Sequence, residues 1–336
     1  MYGLPTDRHA FPIATLTTIA RTFLFTTLIE HLTNNYYYYF CLLIRYSDQT
    51  KEENSVLFGR RNNGALPTVD VKTHQPTKDL KEMGSVVDWT AAGRVTPVKN
   101  QGQCGSCWAH SVVEQIESQF IADGNSMWEF SVQQVNSCVK KCFGCGGGDT
   151  PAGYEYLMNL PSNEGLGSAA WAPYIQSMTD ECTGPKCTES CKDLDIDVLK
   201  TKASLTGYYA QVTGYTYATD ACTSGSCGSQ NLTLLANNIA EYGPASICVN
   251  AASWTSYTGG VLTQAACGGY AYNDLDHCVQ LTGYNADEGY WIVRNSWSTD
   301  WGNDGYIYLQ FDENTCGLAN EATFVQLAST DSQKTK

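Results

Sequence analysis

Three residues of this sequence have the types and the chain order of a thiol acyl-transfer site. Cys107 ends the run of residues 101–107, His277 lies between Asp276 and Cys278, and Asn295 follows Arg294. A thiol nucleophile needs a base, and the base needs a group that orients it. We therefore predict that Cys107 attacks carbonyl carbons, with His277 as its acid–base partner and Asn295 as the orienter.

The predicted nucleophile lies at the start of a predicted helix. Val112, Ile116 and Phe120 recur at spacing four and Gly124 provides a stop, which predicts a helix from Cys107 to Ala122. A cysteine that opens a helix meets free N–H groups and the positive end of the dipole, so the pKa of its thiol falls.

Strands must carry the other two residues. After about residue 205, Tyr, Thr, Val and Gly dominate, and residues 245–249 and 289–293 read as strands. His277 stands at the head of an apolar strand, and we place Asn295 on the next strand. A helical first half and a β second half predict an α+β protein of two lobes.

Composition excludes several classes. Hydrophobic residues are 43% and charged residues 16% of the 336, which is typical of a globular protein. Lys and Arg number 20 against 34 Asp and Glu, a net charge of −14, so a nucleic-acid binder is excluded. No apolar run reaches the length of a membrane span, and none is predicted.

Fifteen cysteines allow two other interpretations. Cys104 and Cys107, with Cys142 and Cys145, form two C-x-x-C pairs that could bind zinc, although they lie far apart for a zinc ribbon. Cys104 to Cys107 alone is also a redox motif, as in a thioredoxin-like oxidoreductase. That alternative leaves His277 without a role.

The segments around these residues resemble the papain family of cysteine peptidases. Residues 87–111 resemble the start of the mature enzyme, residues 290–306 its asparagine region and residues 316–318 its C-terminal loop. The resemblance covers about residues 84–328. It implies a two-lobed α+β fold with a helical left lobe, a β-barrel-like right lobe and the active site in the cleft between them.

The resemblance also implies the roles of the site residues. Cys107, His277 and Asn295 keep the roles given above, and Gln101 forms the oxyanion hole with the Cys107 N–H. Trp297 shields the histidine–asparagine contact from water, or is plain core packing. A catalytically dead homologue is a third alternative, although all four catalytic positions hold competent residues.

A substrate pocket follows from the same resemblance. Glu321, five residues after Cys316, closes the bottom of the S2 pocket, and its carboxylate predicts that basic as well as hydrophobic P2 side chains are accepted. The alternative is that Glu321 turns into solvent. The remaining predicted substrate-binding residues are Gly147, Gly148, Asp149, Cys248, Asp276, Cys278 and Trp297. His110 stands where the family usually has an aromatic hydrocarbon and reads as packing, or as a pH sensor.

The resemblance suggests the disulfides Cys104–Cys145, Cys138–Cys182 and Cys267–Cys316. Cys222 and Cys227 bracket a tight turn and are expected to pair locally. Cys248 and Cys278 either form an extra bridge at the wall of the S2 pocket or remain two buried thiols. Cys142, Cys187 and Cys191 stay unassigned.

The predicted domain organisation has four parts. Residues 1–46 are signal-like or a mis-predicted start, 47–83 a propeptide remnant and linker, 84–328 the peptidase domain divided near residue 205, and 329–336 a polar tail. The resemblance implies a monomeric endopeptidase, because no histidine pair for carboxypeptidase activity occurs in residues 111–276. No cofactor or metal is expected.

Partners and compartment complete the predictions. We expect peptide and protein substrates, and by resemblance the chain's own propeptide and cystatin-like inhibitors. The sequon at Asn231 and the acidic composition favour a secretory route to a lysosome- or vacuole-like compartment or the exterior.

Overall fold

The computed structural model of this chain describes residues 49–50, 54–61, 71–78, 84–161, 164–175 and 209–329. These residues belong to one of two compact units, Tyr46–Lys336; the other, Met1–Arg45, lies outside the described residues. Across the described ranges, no helix has the length and apolar character that a bilayer crossing requires.

Helices and strands both contribute to the described unit, which confirms the α+β class. The described α-helices are α1 Cys107–Ala122, α2 Val132–Cys138, α3 Thr150–Met158, α4 Leu232–Tyr242 and α5 Gln264–Cys267. The strands are β1 Val86–Asp88, β2 Val212–Tyr217, β3 Ala245–Val249, β4 Val261–Leu262, β5 His277–Asn285, β6 Tyr290–Arg294, β7 Tyr306–Gln310 and β8 Ala322–Leu327.

The strands form one sheet in the order β2-β8-β3-β5-β6-β7-β4, with β1 paired to β5 off this path. All neighbours are antiparallel except β4 and β7. β5 lies at the centre and is buried on both faces, including its polar residues Gln280 and Thr282. The sheet therefore fixes the position of His277, the first residue of β5.

Two large hydrophobic clusters form most of the core of the described residues. One contains apolar side chains of α1, α2 and α3 with Val212 and Val325, and the other contains those of α4 and the central strands. Ser111 of α1 donates a hydrogen bond to the Val279 carbonyl of β5 at 2.7 Å. This contact anchors the helix that begins with Cys107 against the strand that begins with His277.

The helix predicted from Cys107 to Ala122 is confirmed, and so is the strand at residues 245–249. Asn295 differs from the prediction, because β6 ends at Arg294 and Asn295 is the first residue beyond the strand. Two residues beyond the strand, the Ser296 carbonyl accepts a hydrogen bond from the Gln101 N–H. The β half also contains a helix that the sequence reading missed, α4, whose N-terminus is capped by the Asn231 side chain.

A buried charge pair supports the end of β6. Arg294 donates to Gln280 Oε1 at 2.7 Å and lies 3.5 Å from a Glu114 carboxylate oxygen. Burial raises the pKa of Glu114 to about 7, more than the nearby Arg294 and Lys99 charges lower it. Asn295 therefore follows a residue whose position depends on a carboxyl that titrates near neutrality.

We expect Glu114→Gln to flatten the pH dependence of stability. The folded pKa of Glu114 lies above its ordinary value of 4.5, so its stabilising contribution is present below pH 4.5 and is lost as pH rises through 7. Between pH 4.5 and 7.5 the unfolding free energy of the chain should fall by up to about 3 kcal/mol because of Glu114, and this part of the decrease should be absent in Glu114→Gln. Both proteins are compared in a Cys107→Ala background, which removes the reactive thiol. Urea unfolding measures this. The exposed Glu313→Gln is the control, and an equal effect of both variants would contradict the assignment.

Candidate active site

Cys107 lies at the first turn of α1 with its side chain fully buried. Its sulfur has hydrogen bonds with the backbone of Cys278, the residue after His277, and of Gly59, both of which lower the pKa of the thiol. The start of α1 and the start of β5 therefore meet at this sulfur, as the predicted chemistry requires.

His277 and Asn295 form a direct pair. His277 Nε2 lies 2.8 Å from Asn295 Oδ1, which also accepts a hydrogen bond from the Ser296 N–H at 2.8 Å. An oxygen that already accepts from a backbone N–H is fixed in orientation, so it holds the proton of His277 on Nε2. The Trp297 ring covers the imidazole at 4.9 Å between centroids.

Gln101 is held by both ends of its amide. Its Oε1 accepts from Ser296 Oγ at 2.7 Å and from Trp297 Nε1 at 3.2 Å. Its Nε2 donates to the Cys104 carbonyl at 2.9 Å and to the Leu57 carbonyl at 3.0 Å. Besides covering His277, Trp297 therefore donates a hydrogen bond to Gln101, a contact that was not predicted from the sequence. Ser296 is a further residue of the site that was not predicted.

Residues 54–61 cover this cluster. Asn54, Leu57, Gly59 and Arg60 are buried, and Leu57 is completely so. The Gly59 carbonyl accepts from the Gly148 N–H at 2.8 Å. A piece of the segment interpreted as propeptide remnant and linker therefore occupies the same place as the catalytic candidates.

Glycine is required where this segment crosses the site. A Cβ on Gly59 would lie 2.0 Å from the Gly105 carbonyl oxygen, and that atom belongs to rigid backbone between Cys104 and the start of α1. Such a contact cannot be relieved by a side-chain movement. The segment can lie this close to Cys107 only because residue 59 has no side chain.

Burial favours the neutral forms of both catalytic candidates while the segment is in place. It raises the pKa of Cys107 to about 12, against the opposing backbone hydrogen bonds. It lowers the pKa of His277 to about 4, although Asn295 and the Leu57 backbone favour the imidazolium. With residues 54–61 in place, these two directions disfavour the thiolate–imidazolium pair.

Glu321 points into a pocket rather than into solvent, being only 1% exposed. Its Oε2 accepts from Arg60 Nη2 at 2.5 Å, and its Oε1 accepts from Thr150 Oγ1 at 3.2 Å. The pocket predicted to take basic side chains thus holds a guanidinium from the chain itself.

The other predicted pocket residues lie around Arg60 and its neighbours. Asp149 Oδ1 is 3.9 Å from Arg60 Nε, and burial, then Glu321, raise the pKa of Asp149 while Arg60 lowers it. The Asp276 carbonyl accepts from the Arg60 N–H at 2.9 Å, and the Gly148 carbonyl accepts from the Arg61 N–H at 2.7 Å. Gly147 lies against the same stretch, since a Cβ there would meet the Gly59 carbonyl at 2.7 Å.

Cys248 and Cys278 are joined by a disulfide, which decides between the two alternatives for this pair. They lie directly opposite each other on β3 and β5. The Cys248 sulfur is 3.3 Å from Glu321 Oε1, so the bridge forms part of the pocket wall.

The remaining bridges follow the expected pairs. Among the described residues these are Cys104–Cys145, Cys222–Cys227 and Cys267–Cys316. Cys138 is also disulfide-bonded, and its expected partner Cys182 lies outside the described residues, as do Cys187 and Cys191. Cys107 carries a free thiol, as does Cys142. A Cys104–Cys107 redox pair and a four-cysteine zinc site are both incompatible with the Cys104–Cys145 bridge.

His110 packs behind the site. Its Nδ1 lies 3.0 Å from the Ser106 carbonyl, and its ring meets the Tyr174 ring edge-on at 4.8 Å. Burial lowers its pKa to about 3, so it stays neutral above that pH. This favours the packing role over pH sensing.

The sequence reading missed Arg60 and the Tyr272 and Leu275 carbonyls, which accept hydrogen bonds from its guanidinium. Arg60 is the first of two adjacent arginines, and a pair of basic residues in a polar stretch is typical of a linker. Nothing in the sequence reveals that its backbone pairs with Gly148 and that its side chain enters a buried acidic pocket.

Comparison with known proteins agrees with this geometry. The family model described as "Papain family cysteine protease" matches residues 83–326. Cysteine proteinase 1 of Dictyostelium discoideum is 32% identical over 77% of this chain and 71% of its own length. Cathepsin K of Gallus gallus is 34% identical over 80% of this chain and 69% of its own length.

A solved structure shares the fold as well. Digestive procathepsin L 3 of the Tenebrio molitor larval midgut superposes with a TM-score of 0.63 and is 25% identical, covering 84% of this chain and 81% of that chain. That protein was solved with its pro-segment, as its name says.

We expect the Cys107 thiol to resist alkylation in the full chain. A pKa of about 12 leaves almost no thiolate at pH 7. Gly59→Val should displace residues 54–61 and raise the rate of iodoacetamide labelling at Cys107 by about a hundredfold or more, from the change in thiolate fraction. Peptide mapping after labelling at pH 7 measures this, with Cys142 as the internal reference. Arg61→Ala, an exposed neighbour, is the matched control, and rapid labelling of the unaltered chain would refute the expectation.

Proposed function

Because the chain belongs to the papain family of cysteine proteases, we propose that this cysteine peptidase acts through Cys107, His277, Asn295 and Gln101. The observation that carries the proposal is the meeting of the first residue of α1 with the first residues of β5 at one buried sulfur, beside the His277–Asn295 pair. The competence of all four side chains argues against a dead homologue.

The proposed reaction has two acyl-transfer steps. The Cys107 thiolate attacks the carbonyl carbon of the scissile peptide bond, and Gln101 Nε2 with the Cys107 N–H stabilises the developing oxyanion. His277 gives its proton to the leaving amine, which departs and leaves a thioester. A water molecule, deprotonated by His277, then hydrolyses the thioester and releases the new carboxyl end.

One contact of the covering segment supports the role of Gln101. The Leu57 carbonyl oxygen accepts from Gln101 Nε2 at 3.0 Å, so a peptide carbonyl already occupies the donor assigned to the oxyanion. Phe58, next in the chain, meets the Trp297 ring at 6.0 Å. Peptide backbone is therefore the ligand that fits this part of the site.

We propose that residues 54–61 are the inhibitory part of the chain's own propeptide. Along the segment, Phe58 lies at Trp297, Gly59 at Cys107 and Arg60 in the Glu321 pocket. A substrate whose P2 residue enters that pocket reaches Cys107 after it, so it runs in the opposite direction. The segment fills the site without offering a bond in the orientation for cleavage.

The Glu321 pocket supports a preference for basic as well as hydrophobic P2 side chains. A guanidinium is held there by a buried carboxylate, while the disulfide and Leu275 provide apolar walls. The lack of a histidine pair in residues 111–276 favours endopeptidase over carboxypeptidase action. Cystatin-like inhibitors are partners that the family membership suggests.

The disulfides favour folding in an oxidising, secretory compartment, with a lysosome- or vacuole-like lumen or the exterior as destination. Asn231 is exposed, and its Oδ1 accepts from the Leu234 N–H at 2.9 Å. Its Nδ2 is the atom that a glycan uses, so capping of α4 and glycosylation are compatible.

Removing the thiol should abolish peptidase activity. We expect Cys107→Ser to lower kcat/KM of the processed enzyme by about a thousandfold or more, because a hydroxyl is a far weaker nucleophile beside a histidine tuned to a thiol. Labelling by an epoxide thiol inhibitor should appear at Cys107. Full activity in Cys107→Ser would remove Cys107 from the mechanism.

Asn295→Ala should be less severe. The variant keeps the base and loses only its orientation, so we expect kcat to fall by about tenfold to a hundredfold. Asn159→Ala, at the exposed end of α3, is the matched control. Fluorogenic dipeptide amides provide the assay, and unchanged kcat in Asn295→Ala would exclude the orienting role.

Glu321 should determine the basic preference. The measurement is kcat/KM for two dipeptide amides that share Arg at P1 and carry either Arg or Phe at P2. The ratio of the two values is the Arg/Phe ratio. Glu321→Ala should lower the Arg/Phe ratio by about tenfold to 150-fold, the range for hydrogen bonds to charged groups. Glu321→Gln keeps the volume of the side chain and removes its charge, so it should lower the Arg/Phe ratio nearly as much as Glu321→Ala does. An unchanged ratio would show that Glu321 does not contact P2.

A further inference from the structure

The pocket around Arg60 contains more than a carboxylate. Arg60 Nη1 donates to the Tyr272 carbonyl at 3.3 Å and to the Leu275 carbonyl at 3.2 Å, while Nη2 donates to Glu321. The guanidinium carbon lies 4.4 Å from the centroid of the Tyr272 ring. One residue, Tyr272, thus contributes both a carbonyl at the edge of the guanidinium and an aromatic ring over its face.

These contacts match the shape of a guanidinium and not that of an ammonium. A guanidinium is a flat fork that can donate in its plane to three oxygens while its face lies on a ring. An ammonium is a compact point charge. At the Nη1 position it could reach the two carbonyls but would be farther from Glu321, and it has no flat face for Tyr272.

Tyr272 is held rigidly in this position. It is 1% exposed and opens a short 3-10 helix, Tyr272–Asp274, whose start is tied down by the Asp274 carboxylate accepting from the Ala271 N–H at 2.9 Å. Its N–H donates to the Ser226 carbonyl. Around the ring lie the disulfides Cys222–Cys227 and Cys248–Cys278 with Leu275.

The hydroxyl of Tyr272 has a separate role. Burial raises the pKa of Tyr272, and a hydrogen bond with the Glu321 carboxylate raises it further. The hydroxyl therefore helps to orient Glu321, whereas the ring meets the bound guanidinium. The two roles can be separated by substitution.

We propose that this pocket is an arginine site and that Tyr272 is the specificity-determining residue that separates arginine from lysine at P2. The inference rests on the proposed P2 role of the Glu321 pocket. Glu321 supplies the charge, which favours either basic side chain. Tyr272, with the Leu275 carbonyl, supplies the planar recognition that selects arginine.

The test compares the processed enzyme on four dipeptide amides with Arg at P1 and Arg, Lys, citrulline or Phe at P2. Citrulline keeps nearly the shape of arginine without its charge. We expect arginine to exceed lysine by about tenfold in kcat/KM, and to exceed citrulline by at least as much. Equal rates for arginine and lysine in the unaltered enzyme would overturn the proposal, and this comparison depends on no variant.

Two variants assign the effect to the ring. Tyr272→Leu should lower the Arg/Lys ratio by about threefold to tenfold, which lies within the range for cation–π contacts and would bring the two side chains close to equal rates. Tyr272→Phe keeps the ring and should retain the ratio within about twofold, even though it loses the hydrogen bond with Glu321. An unchanged ratio in Tyr272→Leu, or an equal loss in both variants, would overturn the role of the ring.

The result is separable from the proposed P2 function. If Glu321→Ala leaves the Arg/Phe ratio unchanged, the pocket does not read P2 charge and the underlying proposal fails. If Glu321→Ala lowers that ratio while Tyr272→Leu leaves the Arg/Lys ratio intact, only the arginine-site inference fails.

Discussion

The primary amide of Gln101 is the group on which the site depends. A buried amide must satisfy both its oxygen and its nitrogen, and here each end reaches a different part of the chain. Its oxygen accepts hydrogen bonds from Ser296 and Trp297, which lie just beyond β6. Its nitrogen donates to the Cys104 carbonyl, which lies just before α1. The helix that carries the thiol and the loop that carries Asn295 are therefore held in register by one side chain, with a remaining donor position for a peptide carbonyl.

Residues 54–61 lie over Cys107 and His277, which are both completely buried. Gly59 and Leu57 remove water from Cys107 and His277, and burial alone moves the two pKa values in the directions that favour neutral, unreactive groups. The charge that does remain buried is paired: Arg60 meets Glu321 directly. Removing one partner of such a pair leaves an uncompensated charge, so the segment and the pocket stabilise each other only while both are present.

Sequence reasoning predicted the parts of this arrangement that depend on local pattern. The helix that begins at Cys107 was predicted from apolar residues spaced four apart. The α+β class was predicted from the change in amino-acid composition near residue 205. The pocket residue Glu321 followed from a family resemblance, whereas the Cys248–Cys278 bridge stayed open because two opposed cysteines pair only if the strand register brings them together. Arg60 and Tyr272 could not be found, since their meeting joins residues more than two hundred positions apart. Helix α4 was missed because strand-like composition around it outweighed its own periodicity and its Asn231 cap.

Burial of Cys107 also matters for how the cysteines find their partners. The chain has fifteen cysteines, and bridges form and rearrange by attack of a thiolate on a sulfur. A reactive thiol would attack the forming disulfides more readily than the other cysteines do. It would also be the thiol most easily oxidised in the same compartment. With Gly59 over it, Cys107 is buried, and burial raises the pKa of its thiol, which disfavours the thiolate that both reactions require. Under the role proposed for residues 54–61, the segment that blocks substrates also protects the Cys107 thiol from oxidation while disulfides form elsewhere in the chain.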